Sequence, residues 1–504
     1  MLFNSFEFIF FFLPVTYFVF IYLHQKGSVQ SALGWLLGAS LFFYAWWNPK
    51  YLVIMLASIA FNFIVGRLLI RCHASSKLLL KRVVFFMAIG VNLSLIGYYK
   101  YGFFFIRNVN ALFGTSLVME SVVMPIAISF FTFQQISYLA DVYRGELGPI
   151  RFLHYSLVVT FFPHLIAGPI VHYRELVPQF ADQKLLIRFR DIAIGLTIFV
   201  IGLFKKVVLA DTISVYAQDA FDAAALGQSL DFFKAWGGIL SFTFQIYFDF
   251  SGYSDMAIGL GRLFGIKLPV NFNSPYKAVS IIDFWRRWHI TLSQFLLHYV
   301  YIPLGGNRTG PGRRYLNLMV TMLLGGLWHG AGWTFVLWGG LHGIYLVVNH
   351  AWEKIGKNLG NAAFGRIVTF FAVVLAWVLF RADSLPSAVY FFKSLAGSHG
   401  FLSAHVRSGE IKILYQWAWL LGLMGIVFIL SNTQEWLCRF KPALHAVENS
   451  CGHPKHFQPQ DRMRQALFFW YPSSFHAVCL GAMAALSLLL LFIEKNSEFI
   501  YFQF

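Results

Sequence analysis

Three observations predict an all-α, polytopic integral membrane protein. Hydrophobic residues make up 58% of the 504-residue chain and charged residues only 12%, where soluble domains carry about 25% charge. The mean hydropathy is +0.63. The apolar residues are also grouped in runs near the roughly 17–25 residues that a helix needs to cross a bilayer. A chain of this composition cannot clothe a water-facing surface. It is equally unlike a disordered segment or a disulfide-stapled secreted domain.

The first run covers 8–23. It follows Glu7 rather than a basic stretch and meets no small-residue cleavage pattern, so it reads as a retained span. Further spans are expected at 31–47, 51–70, 83–106 and 121–140. The connection between the third and fourth spans carries Arg71, Lys77, Lys81 and Arg82 with no acid. The positive-inside bias places it in the cytoplasm and, counting back, the N-terminus outside. Runs at 152–171, 191–210 and 232–250 follow, the first interrupted by Pro163, Gly168 and Pro169. Irregular backbone at membrane depth survives only inside protein or beside a water-filled cavity, so re-entrant or broken helices are expected there. The chain is half polar from 250 to 306 and apolar again at 316–350, 367–380 and 411–431. Residues 434–466, with Arg439, Lys441, Lys455, Arg462 and Arg464, read as a cytoplasmic linker. A last span at 467–493 sends the tail, 494–504, to the outer face. These spans make up one membrane domain over 1–504, with the chemistry centred on about 240–350.

Lys and Arg number 39 against 22 Asp and Glu, a net charge of +17. In a soluble protein that balance would suggest nucleic acid. In a membrane chain, basic cytoplasmic loops account for it, and no nucleic-acid motif is present. Cys72, Cys438, Cys451 and Cys479 have no framework spacing and read as reduced thiols. Cys438 and Cys451 with His445, His453 and His456 match no standard zinc pattern, so no metal site is expected.

A charge near the bilayer centre costs at least about 2.5–3.5 kcal/mol, so ionisable groups in apolar spans point to function. They concentrate between Asp249 and His342. Asp249 and Asp255 can bind a cation or protons, or cap a break around Gly252. Asp283 lies at i+3 and i+4 from Arg286 and Arg287. One reading is a neutralised interfacial helix anchored by Trp285 and Trp288. The other gives the arginines an anionic ligand such as the phosphates of a nucleotide-containing thioester, helped by Arg308, Arg313 and Arg314, with His289 one turn on. His329 sits among Leu, Trp and Gly. It is either a packed core histidine or a desolvated, neutral imidazole able to act as a base. His342 reads as structural. The Gly252–Met256 stretch lacks the closing glycine of a serine-hydrolase elbow, and Phe264 spoils a dinucleotide-binding glycine pattern.

These motifs, in this order, resemble a membrane-bound O-acyltransferase of the bacterial alginate O-acetylase type. The resemblance is carried by YAWWNP (44–49), FPHLIAGPI (162–170), YFDFSGYSDMAIGLG (247–261), FWRRWHITLS (284–293), GGLWHGA (325–331) and FIYFQF (499–504). Only the stretches at 398–411 and 434–466 are unmatched. The resemblance implies about eleven or more helices, some re-entrant, around a tunnel crossing the bacterial inner membrane, with both termini periplasmic. It implies transfer of an acetyl group from cytoplasmic acetyl-CoA, with no tightly bound cofactor, for O-acetylation of an exopolysaccharide. Alginate is the first expectation. Cellulose, peptidoglycan, D-alanyl transfer to teichoic acid, and a transporter or flippase without chemistry are the alternatives. His329 matches the family's invariant histidine and His289 its second motif histidine. Tyr501 matches a tyrosine proposed to relay the acyl group, although an aromatic interfacial anchor explains the tail equally well. Arg286 and Arg287 would hold the donor. Asn271 and Asn273 would line its site or steady the oxyanion. A periplasmic SGNH-type acetyltransferase and a polysaccharide biosynthesis and secretion complex are the implied partners.

Overall fold

The computed structural model describes residues 1–120, 122–182, 188–308, 310–355, 361–401, 410–444, 470–493 and 499. The described residues form helices with no β-strand among them, only one isolated bridge between Pro269 and Leu444. Seven of the helical stretches are long and apolar enough to cross a membrane. This is the all-α polytopic architecture expected. In lipid every backbone N–H and C=O must be satisfied internally, and a helix does that within one segment. The chain divides into two compact units. One comprises Met1–Phe199, Met256–Pro269 and Pro442–Leu444, and the other Val200–Asp255, Val270–Lys441 and His445–Phe504.

In the first unit, a π-helical turn, Glu7–Phe12, leads into Leu13–Lys26, and Val29–Ala45, Pro49–Ala74 and Leu78–Ile96 follow. Local chemistry sets these boundaries. Ser28 and Asn48 accept from the backbone N–H of Ser31 and Lys50, and Pro49 occupies the first turn, where its missing N–H costs nothing. Asn62 and Asn92 exchange amide hydrogen bonds of 2.8 and 3.1 Å between two of the spans. A buried amide is costly unless paired. The span expected at 83–106 is longer, because a π-helical turn at Gly97–Tyr101 carries the helix on through Gly102–Phe113. The span expected at 121–140 starts later, at Ile128. Over 152–171 the helix does break: Phe152–Thr160 stops at Phe161, and Phe162–Leu165 makes one turn around Pro163. Around the break Tyr138, Tyr155 and Tyr173 pack with ring centroids 4.7–5.5 Å apart.

The second unit carries the longest element. Phe232–Leu263 is one helix of 32 residues, and its part up to Asp255 lies in this unit. It therefore runs straight through Gly252, where the sequence suggested a capped break. The apolar stretch read as 316–350 is two helices, Pro311–His329 and Trp333–Lys354. Gly330 and Gly332 stand extended between them. The two helices pack face to face because a Cβ on Gly326 would strike the Phe335 carbonyl, and one on Gly339 that of Met322. The Ala362–Arg381, Leu385–Leu395, Glu410–Ile429 and Ser474–Ile493 helices complete the unit. The start of the expected linker is not a solvated loop. Gln434, Leu437 and Cys438 are buried, in and just after a short turn at Thr433–Trp436. Residues 445–469 lie outside the described residues, as do Cys451, His445, His453 and His456.

Candidate active site

Both motif histidines come from irregular ends of helices in the second unit. His329 is the last residue of Pro311–His329, where the Gly330–Gly332 break lets the ring turn inward. His289 precedes Ile290–Leu296 with φ of +41°, a left-handed conformation that costs a non-glycine residue about 1–2 kcal/mol. Such strain persists only where surrounding contacts impose it. Here two backbone hydrogen bonds do so, Ile290 N–H to Asn271 O and Asn273 N–H to Arg287 O, each 2.9 Å. They clamp 271–273 against 287–290.

The two imidazoles share one aromatic box. Their ring centroids are 6.4 Å apart. Phe250 stands edge-on to His289 at 4.7 Å, and Trp328 lies 5.9 Å from it. Trp338 and Phe380 stand at 5.1 and 5.2 Å from His329. Both histidines are buried, at 0% and 3% exposure. His289 lies in a connection outside the spanning helices, and burial pushes its pKa down to about 3, so it is neutral at ordinary pH. Its Nδ1 lies 3.1 Å from Asn271 Oδ1. His342, read as structural, accepts from the Trp285 indole N–H at 3.3 Å and packs on Trp338 at 4.8 Å.

The other expected site residues separate into two groups. Arg287 is held by Asp283 at 2.8 Å and donates to Asn273 O at 3.3 Å. The i+4 ion pair foreseen in the sequence therefore exists, although the helix around Asp283 spans only Ile281–Trp285. Arg286 is exposed beside it. The Asn273 side chain accepts from Asn432 at 2.9 Å. Asn271 belongs with His289 and Asn273 with the Arg287 turn. Arg314 pairs with His350 at 2.9 Å, while Arg308 and Arg313 are exposed. Tyr501 lies outside the described residues. Phe499, two residues before it, is buried against Tyr253 and Phe250 at 4.7 and 5.7 Å, and Phe250 also touches His289.

Sequence reasoning missed a second buried cluster. Asp249 takes Lys206 at 2.7 Å, and Lys206 also reaches Asp211 at 2.8 Å. Asp255 takes Lys205 at 2.7 Å, the Thr433 hydroxyl at 2.7 Å and the Gln434 amide at 3.2 Å. The two aspartates are thus partners of lysines, not caps at Gly252. The signal was present as Lys205 and Lys206 in one apolar run, opposite in sign to Asp249 and Asp255 in another.

The two buried imidazoles and the aromatic rings around them are the candidate site. Comparison with known proteins assigns the class. Residues 93–392 match the membrane-bound O-acyltransferase family. A peptidoglycan O-acetyltransferase of Helicobacter pylori is 45% identical over 445 residues, 82% of this chain and 83% of that protein. A probable alginate O-acetylase of Pseudomonas aeruginosa is 41% identical over 408 residues, 78% of this chain and 75% of the other. A teichoic acid D-alanyltransferase of Streptococcus thermophilus is 28% identical over 288 residues, 52% of this chain and 69% of the other. The chain belongs to the membrane-bound O-acyltransferase family. It is an integral membrane enzyme that transfers an acyl group.

Proposed function

We propose that the protein moves an acetyl group from cytoplasmic acetyl-CoA across the bacterial inner membrane for O-acetylation of a polysaccharide outside. The observation that carries the mechanism is the pair of motif histidines, His289 and His329, 6.4 Å apart in one buried box. The acceptor oxygen attacks the thioester carbonyl carbon while neutral His329 takes the hydroxyl proton. The carbon–sulfur bond breaks, and the thiolate of coenzyme A leaves with that proton. A positioned base contributes about 10²–10⁴-fold, and holding the two reactants together supplies much of the rest. His289 orients a reactant. Arg286, exposed, and Arg287, beside it, form the anion-binding edge for the donor phosphates, with Asn273 beside Arg287 and Asn271 at His289.

In this reading Tyr501 is the first acceptor. Its hydroxyl takes the acetyl group as an ester and hands it, at the periplasmic C-terminus, to the polymer or to an SGNH-type acetyltransferase of a biosynthesis and secretion complex. The burial of Phe499 against Tyr253 and Phe250 supports a tail that reaches the histidine site. For the polymer, the sequence pointed to alginate first. The 45% identity to a peptidoglycan O-acetyltransferase, against 41% to the alginate enzyme, favours peptidoglycan as the second acceptor to test.

Expression in a strain lacking its own O-acetylation, followed by alkali-labile acetate on each polymer, tests the reading. Acetate should appear on one polymer and vanish in His329→Ala with the protein still in the membrane. Full acetylation by that variant would overturn it. Tyr501→Phe keeps the aromatic ring and should stop transfer at coenzyme A release, so unchanged polymer acetylation would remove the relay.

A further inference from the structure

The side chain of Asn271 points away from the arginine edge and into the histidine box. It is wholly buried. Its Oδ1 receives the Thr291 hydroxyl at 2.9 Å and the Thr291 backbone N–H at 3.3 Å, and lies 3.1 Å from His289 Nδ1. Its Nδ2 donates to Ser254 Oγ at 3.3 Å. A backbone N–H can only donate, so the atom facing Thr291 is the amide oxygen, and the orientation of the amide is fixed. That oxygen can only accept. The hydrogen between it and His289 must therefore sit on Nδ1.

We propose that Asn271 is a positioning residue that locks His289 in the Nδ1–H tautomer, so that the lone pair on Nε2 faces the reaction. The inference deepens the acyl-transfer reading and rests on it. A neutral imidazole with hydrogen on Nδ1 offers Nε2 as an acceptor only. His289 therefore receives a hydrogen bond from the hydroxyl or amide of a reactant and does not donate one to the carbonyl oxygen. The same Asn271 holds the main chain, since its carbonyl accepts from Ile290 N–H at 2.9 Å, next to the strained φ of His289. Ring orientation and tautomer are thus set by one residue. A second group commonly fixes a functional histidine in this way by the bond it makes to the other ring nitrogen. His329, at 6.4 Å, is the titratable neighbour of the ring.

The test uses the full chain, ¹⁵N-labelled at histidine, in lipid nanodiscs. His289→Gln identifies the His289 signals by difference. The protein should show a protonated Nδ1 and a bare Nε2 at His289. Asn271→Asp, which keeps an acceptor oxygen, should preserve that pattern, and Asn271→Leu should lose it. In coenzyme A release from acetyl-CoA, Asn271→Leu should lower kcat by about 10²-fold or more, the scale of a misplaced reactant, with KM changed less than about twofold. Asn271→Asp should retain turnover and move the acid limb of its pH profile upward, because a carboxylate makes the imidazole more basic. Hydrogen on Nε2 in the unmodified protein overturns the proposal, as does an Asn271→Asp pH profile that does not move. Absence of any coenzyme A release by the unmodified protein would instead count against the acyl-transfer reading, while the tautomer remains readable.

Discussion

Two buried polar regions of the second unit, one built on Asp249 and Asp255 and the other on His289 and His329, meet the low dielectric in opposite ways. Around Asp249 and Asp255 every acid meets a cation: Lys206 at 2.7 Å, and Lys205 at 2.7 Å with Thr433 and Gln434 completing the shell. Around His289 and His329 the groups are imidazoles walled by Phe250, Trp328, Trp338 and Phe380. Charges taken out of water need partners at close range, and removing one partner is far worse than never burying the pair. A neutral imidazole carries no net charge, so burying it strands no ion. The first region is thus expected to govern folding and the second turnover.

Substitutions that uncouple these effects test the contrast. The largest effect on folding is expected from Lys206→Met, which leaves Asp249 and Asp211 facing each other. It should cost about 3–5 kcal/mol, read as a lower unfolding temperature in detergent. A stability equal to that of the unmodified protein would mean that the two acids carry no opposing charge. Asp255→Asn keeps the shape but strands the Lys205 ammonium, and about 1–3 kcal/mol should be lost. Urea or thermal unfolding of the two variants side by side should preserve that order. His329→Gln should be the mildest in stability, below about 1 kcal/mol, as expected where no charge is stranded. Its coenzyme A release should nevertheless fall by at least about 10²-fold. A His329→Gln protein as unstable as Lys206→Met would dissolve the distinction between the regions.

How much of this could be read from the chain follows from which interactions are local. Hydropathy runs and a proline such as Pro163 act on a few neighbouring residues, and the spans and the break after Thr160 follow from them, whereas the break at Gly330 inside 316–350 was not read. The Asp283–Arg287 pair is a helical i+4 contact and was legible for the same reason. The motif histidines were legible as a pattern. Their placement in one box was not, because it depends on the glycine-permitted packing of Pro311–His329 on Trp333–Lys354. Polar residues between 250 and 263 made the long helix look interrupted. Asp255, whose partners lie 50 and 178 residues away in sequence, shows why it is not. The same non-local pairing turned the beginning of the expected linker, Thr433 and Gln434, into part of the interior. Asn271 looked like a residue for the donor. Only the fold brings it to His289, across 18 positions.

The wide turn at Lys205–Ala210 has a consequence for how this chain can vary. A π-helical turn holds one residue more than an α-helical turn. Here it presents two consecutive lysines to Asp255 and Asp249. Deleting one residue between 205 and 210 would close the turn to ordinary winding and change how the two lysines are presented to the aspartates. Lys206 could then no longer serve Asp211 and Asp249 together. Substitution by residues of similar size can be absorbed at several of these positions, but a change of length cannot.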